Sequence, residues 1–124
     1  MASSSIIDSS VHNRLQELFG YIRSGRILDA INEFYAEDAV MQENNELPTV
    51  GRQANLNRER QFLSSVKEWK RFEVTAQGAG DNVTLYETVM DWIAMDGTPV
   101  HVEQVVVARW RDSKIVHERF YHNP

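Results

Sequence analysis

The sequence contains no cysteine, which excludes disulfide bonds, thiolate nucleophiles, cysteine-based zinc sites and iron–sulfur clusters. Basic residues are also few: 13 Lys and Arg stand against 18 Asp and Glu among 124 residues, so the formal net charge is −5. We therefore expect neither a nucleic-acid nor an anionic-membrane partner. No apolar run approaches the roughly 20 residues that a membrane-spanning helix needs. The first residues lack the basic and apolar regions of a signal peptide, so a cytoplasmic protein is expected.

Motifs that hold cofactors are missing as well. There is no glycine-rich phosphate loop and no serine nucleophile elbow, so we expect no cofactor. His101 and Glu103 lie two residues apart on one face of a predicted strand, about 6.6 Å along it, a spacing that permits a shared metal ion. Because no third ligand follows at a recognisable spacing, we expect no metal site.

The hydrophobic pattern predicts one domain with helices first and strands after them. Residues 1–8 are expected to form a disordered tail and residues 9–124 a single domain. Apolar residues three and four apart predict two helices that are separated at Gly25, and a third helix from Arg52 to about Val66. Between the second and third predicted helices, Ala39–Met41 is a short extended apolar segment.

From Trp69 onward the apolar residues alternate, which predicts an antiparallel meander of four strands. After a first strand around Phe72, the next three are expected over Val83–Met95, Val100–Trp110 and Ile115–Tyr121. Asp96-Gly97 is a strong signal for a hairpin turn, because both residues tolerate positive φ. Helices followed by such a meander indicate the α+β class.

Two segments resemble the nuclear transport factor 2-like superfamily. Phe34-Tyr35-Ala36-Glu37-Asp38-Ala39-Val40 is similar to its F-Y-A-x-D-A-V segment, and Arg111-Asp112-Ser113-Lys114-Ile115-Val116 to its R-x-D-G-K-I-V turn. SnoaL-like polyketide cyclases and ketosteroid isomerase-like proteins are the most similar branches, over roughly Val11 to His122. The resemblance implies a cone-shaped curved antiparallel sheet with three N-terminal helices and an apolar pocket.

The resemblance transfers only part of the catalytic residues of these branches. Glu43 stands where isomerase-like members have a carboxylate that moves a proton. Val106 stands where the isomerase has an acidic hydrogen-bond donor, and Tyr21 lies one turn from its helix-one tyrosine. Phe120 stands where the cyclases have an aspartate. Neither complete catalytic set is therefore present, and steroid isomerisation of that kind is not expected.

Alternation assigns some strand faces to the pocket. On the third strand of the meander, Val102 and Val106 share the apolar side with Gln104, the expected polar anchor. The resemblance turns Glu118 inward on the last strand. For the second strand the sequence alone does not choose a side, and the resemblance favours the side of Asp91. The substrate-binding candidates are Tyr21, Tyr35, Asp91, Val102, Gln104, Val106, Phe120 and His122.

Glu43 and Glu118 are the catalytic candidates. A carboxyl group at an apolar mouth has its charged form disfavoured, which raises its pKa toward that of a useful base. The alternatives are a solvated loop acid for Glu43, and a buried ion pair or sheet-edge charge for Glu118. His122 lies about 13 Å from Glu118 along a straight strand, so no direct hydrogen bond is expected. His122 is then a frayed C-terminal residue near the dimer interface or the pocket rim.

Two kinds of function remain open. One is an enzyme that takes a proton next to a carbonyl group of a small, largely apolar molecule, as in an isomerase, cyclase or dehydratase, without a cofactor. The other is a non-catalytic ligand-binding or dimerisation module. The resemblance implies a homodimer through the outer face of the sheet. The residues of that face are His101, Glu103, Arg109, His117, Arg119 and Tyr121.

Overall fold

The computed structural model describes the backbone of residues 2–123 and the side chains of residues 11–123. The helices are α1 (Ala2–Arg23), α2 (Ile27–Phe34) and α3 (Arg52–Ser64), and the strands are β1 (Tyr35–Glu43), β2 (Thr49–Val50), β3 (Val66–Gly80), β4 (Val83–Ala94), β5 (Pro99–Arg111) and β6 (Lys114–His122). The disordered tail expected over residues 1–8 stays a prediction, because the side chains of that segment lie outside the described residues.

The six strands form one curved sheet in the order β2-β1-β6-β5-β4-β3. Strands β3 to β6 make the predicted antiparallel meander. The turn at Asp96-Gly97 is present, with Gly97 at φ 89° and the amide of Ala94 donating to the carbonyl of Thr98. Three register shifts in β3 bend this long strand, as bulges do. The predicted α+β class is confirmed.

The sheet differs from the prediction at one edge. The short apolar piece at residues 39–41 belongs to the nine-residue strand β1, which runs parallel to β6, with Met41 opposite Glu118 and Glu43 opposite Phe120. The sheet is therefore mixed rather than purely antiparallel. A parallel pair needs a long crossover, and here β2, α3 and strands β3 to β5 lie between the two partners in the chain.

The hydrophobic core lies between the helices and the concave face of the sheet. Helix α1 contributes Leu15 and Phe19, helix α2 contributes Ile31 and Phe34, and all four side chains are at most 1% exposed. The ring of Phe19 meets the ring of Tyr86 edge-on, with centroids 4.9 Å apart. The two helices thus close one end of the curved sheet.

Helix α3 is tied to β1 by a buried amide. Asn55 is 2% exposed, and its Nδ2 donates to the carbonyls of Ala39, Thr49 and Gly51 at 3.3, 3.1 and 2.9 Å. These hydrogen bonds orient α3 so that the face that carries Asn55 points toward β1. They also fix which α3 side chains stand over the concave surface.

Within residues 2–123, none of the helices is both long enough and apolar enough to span a membrane.

Candidate functional site

Along β5 and β6, the side chains on the concave face change from buried at one end to partly exposed at the other. On β5, Val106 is fully buried beneath the helices, whereas Gln104 is only partly buried. On the neighbouring β6, Glu118 is buried, whereas His122, which pairs with Gln104, is partly exposed. The concave face is therefore open to solvent where β5 begins and β6 ends. We call this open part, together with the buried positions next to it, the concave cleft.

Glu118 lies at the buried end of the concave cleft. It pairs across the sheet with Ala108 of β5 and Met41 of β1, and it is 1% exposed. The hydroxyl of Tyr35 donates a hydrogen bond to Oε1 of Glu118. Oε2 is buried and has no partner among the side chains described. One carboxyl oxygen of Glu118 thus has no hydrogen-bond partner within the described side chains.

Burial raises the pKa of the Glu118 carboxyl to about 8, from an ordinary value of 4.5. The hydrogen bond from Tyr35 lowers this pKa, and the neighbouring carboxylates of Glu43 and Glu59 raise it. At neutral pH the carboxyl group is therefore mainly protonated and can donate a hydrogen bond. Burial also raises the pKa of Tyr35 well above its ordinary value, so this phenol stays neutral beside it.

Glu43 and His122 meet at the open end of the concave cleft. Oε1 of Glu43 lies 2.7 Å from Nε2 of His122, and both side chains are about a quarter exposed, 26% and 23%. Nδ1 of His122 lies 2.9 Å from the carbonyl of Asn123. That carbonyl is the largest cause of the raised pKa of His122; burial opposes it, and Glu43 adds to it. The imidazole thereby orients the Glu43 carboxylate at the rim.

The sheet register places Glu43 and Glu118 on the same face. Met41 is opposite Glu118, and residues two apart on a strand point to the same side. Glu43 therefore stands one strand and two residues away from Glu118. Glu118, which is buried, and Glu43, which lies at the rim, are therefore two carboxyl groups on one surface, and proton-transfer chemistry can use such a pair.

Glu59 is a third carboxyl group in the concave cleft. It follows the buried Asn55 and Leu56 by four and three residues, so it projects from the same face of α3. It is partly buried, and burial raises its pKa, with a further increase from Glu43 and a decrease from Arg58. Glu59 is not among the candidates predicted from the sequence. Its helical spacing from Leu56 on the thin apolar face of α3 was the signal that could have found it.

A profile of the SnoaL-like domain matches residues 15–118, which is most of the chain. This protein belongs to the SnoaL-like domain family. The resemblance noted in the sequence is thereby confirmed. No curated protein matches the sequence.

Solved structures share the fold at low sequence identity. A protein assigned as a SnoaL-like polyketide cyclase from Jannaschia sp. CCS1 has a TM-score of 0.82 at 10% identity, over 94% of this chain and 88% of that one. An NTF2-like protein of unknown function from Burkholderia pseudomallei has a TM-score of 0.81 at 12% identity, over 92% and 91%. TerC, co-crystallised with polyporic acid, has a TM-score of 0.78 at 10% identity, over 92% of each chain. Likenesses this distant show the fold alone.

In this SnoaL-like domain the buried acid comes from β6 and not from β5. Val106 is fully buried and apolar, so the position of the isomerase donor carries no acid. The buried carboxyl group is instead that of Glu118 on β6. Glu118 pairs with Ala108, which lies two residues after Val106 on β5. Phe120 follows Glu118 on the same face and is partly buried.

Of the remaining substrate-binding candidates, some lie in the concave cleft and others lie outside it. Val102 and Gln104 lie on its partly buried side, as expected, and Tyr35 contacts Glu118. Tyr21 packs edge-on against Phe34, with centroids 5.1 Å apart, and beneath the guanidinium of Arg26. The structure therefore brings Tyr35 to Glu118 but places Tyr21 at the junction of α1 and α2.

The expected orientation of Asp91 is wrong. The buried positions on β4 are those of Thr84, Tyr86, Thr88 and Trp92, so the side of Asp91 is the outer one. Its Oδ1 lies 2.5 Å from Nδ1 of His101 on β5. Asp91 is too polar for the core side, and cross-strand charge pairing holds it outside.

A groove of about 360 Å³ lies at the outer face and rim of the sheet, not inside the cone. Its lining includes Glu87 and Val105 on the outside, and Gln104 and His122 at the rim. This groove is not the apolar pocket expected inside the cone, which stays a prediction.

His101, whose spacing from Glu103 permits a shared metal ion, lies between two carboxylates. Its Nε2 lies 2.8 Å from Oε2 of Glu103, and its Nδ1 contacts Asp91, so carboxylates occupy both ring nitrogens. Glu103 is the largest cause of the raised pKa of His101, followed by Asp91. Among the side chains of residues 11–123, no group of three or more metal-ligating residues is arranged to hold an ion.

Proposed function

We propose that this SnoaL-like domain binds a small, largely apolar carbonyl-type or ring-containing molecule in the concave cleft and moves a proton on it without a cofactor. The observation that carries the proposal is the buried carboxyl of Glu118, with Oε1 held by Tyr35 and Oε2 unpartnered. A buried polar atom without a partner costs about 1–3 kcal/mol, and a ligand oxygen that accepts its proton in a hydrogen bond removes that cost.

The reaction assigns different roles to the two catalytic candidates. The carboxylate of Glu43 takes a proton from the carbon next to the carbonyl group, and the electron pair of that C–H bond moves to form the enolate. The neutral carboxyl of Glu118 donates its hydrogen bond to the enolate oxygen, where negative charge develops. Return of the proton from Glu43 to the same or another carbon completes an exchange or an isomerisation. TerC, with the same fold, was co-crystallised with a small organic molecule.

Exchange of the α-protons of 2-tetralone in D₂O, followed by proton NMR, tests this proposal. We expect the wild-type protein to accelerate exchange above the buffer rate. Glu118→Leu removes the donor and should lower the protein-dependent rate by about a hundredfold. Glu118→Gln, which keeps an N–H donor, should lose less. Glu46→Gln, an exposed acid close to Glu43, is the matched control. A wild-type rate equal to that of buffer, or an unchanged rate in Glu118→Leu, contradicts the proposal.

A second candidate function, dimerisation, is favoured by the outer face of the sheet. Val105 and Tyr121 pair across β5 and β6 and are 36% and 42% exposed, and Leu85 on β4 is 46% exposed. These apolar side chains lie among charged residues, as in the core and rim of a symmetric interface. We propose that two copies pair through this face. Sedimentation should show a dimer that Val105→Lys converts to a monomer; a monomeric wild type contradicts it.

A further inference from the structure

Three carboxyl groups and one imidazole face the concave cleft, and this excess of acidic side chains bears on the kind of molecule that fits there. Glu43, Glu59 and Glu118 face it from three different elements, β1, α3 and β6. Glu43 is paired with His122 and Glu118 with Tyr35. Glu59 makes no hydrogen bond or ion pair with the side chains described, although it is partly buried. A partly buried carboxylate without a partner is costly unless a cation joins it.

Aromatic rings stand beside Glu59. Phe62 follows it by three residues on α3, so the two side chains are neighbours on one helix face. The ring of Phe62 meets Trp92 of β4 edge-on at 5.3 Å and Trp69 of β3 at 6.0 Å between centroids. Trp69 and Trp92 are themselves 5.3 Å apart. We call Phe62, Trp69 and Trp92 the aromatic trio. Trp69 is 44% exposed, so a ligand can reach the trio.

Two buried and unpartnered oxygens on the concave face point independently to a ligand. Oε2 of Glu118 is one, and Oγ1 of Thr88 is the other. The side chains are 1% and 0% exposed. Thr88 lies on β4 between Tyr86 and Met90, opposite Gln104 of β5. Polar atoms in such positions normally have partners, so the cleft offers hydrogen-bonding groups at its floor in addition to the carboxylate of Glu59.

We infer that the concave cleft takes a ring-containing molecule that carries a protonated amine, with the ammonium group paired to Glu59 and the ring against the aromatic trio. A carboxylate next to aromatic faces is the arrangement that attracts organic cations, through charge pairing and cation–π attraction. This inference names the ligand class of the same cleft and rests on the proposed function. The burial-raised pKa of Glu59 agrees with a site in which a cation restores the charged form.

The test compares two probes that differ in one functional group, 2-aminotetralin and the neutral 2-tetralol, by quenching of tryptophan fluorescence. We expect wild-type protein to bind the amine at least tenfold more tightly at pH 7. Glu59→Gln should reduce that preference to less than threefold while the affinity for 2-tetralol stays within twofold. Arg60→Gln, which changes an exposed residue next to Glu59 on α3, is the matched control and should keep the preference.

Three results overturn the inference: equal affinities for the two probes in wild-type protein, no binding of the amine at millimolar concentration, or a preference that survives in Glu59→Gln. The comparison on wild-type protein needs no variant to fold. The binding measurement is also independent of turnover. Loss of α-proton exchange with an intact amine preference contradicts the proposed function alone, and intact exchange without the preference contradicts this inference alone.

Discussion

Glu43→Gln should lower the protein-dependent exchange rate of 2-tetralone by about 10²- to 10⁴-fold, the range that a positioned general base contributes. Gln has nearly the same shape as Glu and can still contact Nε2 of His122 at the rim, where the native pair is 2.7 Å apart. The amide cannot take a proton from carbon. The variant should therefore fold as the wild type does and lose the chemical step.

The measurement compares exchange rates at saturating 2-tetralone for wild type, Glu43→Gln and Glu46→Gln. Glu46 is an exposed acid three residues further along the chain, so its change controls for a general loss of negative charge near the rim. The affinity for 2-tetralone should change little, because the base acts on the transition state more than on binding. An exchange rate in Glu43→Gln equal to that of wild type removes Glu43 from the mechanism.

The free energy of unfolding of the wild type, relative to that of Glu118→Gln, should fall as the pH rises from about 5 to 7.5. The pKa of Glu118 is about 8 in the folded protein and ordinarily 4.5. Below 4.5 the group is protonated in both states, and the stability that it contributes is fully present. Between the two values the unfolded chain releases the proton first, so stability is lost at up to about 1.4 kcal/mol per pH unit.

Urea unfolding at pH 5, 6, 7 and 7.5 measures this dependence. The difference between the two proteins should change by roughly 3 kcal/mol across the series. His122 and Glu59 titrate in both proteins, so their contributions largely cancel in the difference. Glu46→Gln should follow the wild-type curve. Parallel curves for wild type and Glu118→Gln would show that Glu118 is ionised in the folded state and cannot be the donor.

Local features of the chain predicted much of the fold. The turn at Asp96-Gly97 depends on two adjacent residues, and the strands on either side of it were expected within one residue of their observed bounds, Val83–Ala94 and Pro99–Arg111. The inner side of β5 was also predicted, because an apolar side alternates there with charged residues. The parallel pairing of β1 with β6 was missed, since it joins Met41 to Glu118 and no local pattern records so distant a partner.

The family resemblance predicted the wrong orientation for β4, that is, the wrong set of side chains facing the core. Tyr86 and Trp92 are buried, and this side is also the more apolar one in the sequence. The family register favoured Asp91 instead. Hydrophobic burial decided the orientation, since moving Asp91 inward would place a charge in the core at a cost that its pairing with His101 avoids.

The sequence by itself determined the class of the fold, its three helices and its meander of four strands, and two of the carboxyl groups that could carry chemistry, Glu43 and Glu118. Only the tertiary structure decided that Glu118 is buried against Tyr35, that His122 pairs with Glu43, and that Glu59 joins them from α3. The physical reason is that helices and turns depend on neighbours along the chain. The charge state of a carboxyl group depends on which distant groups surround it and on how much water they exclude.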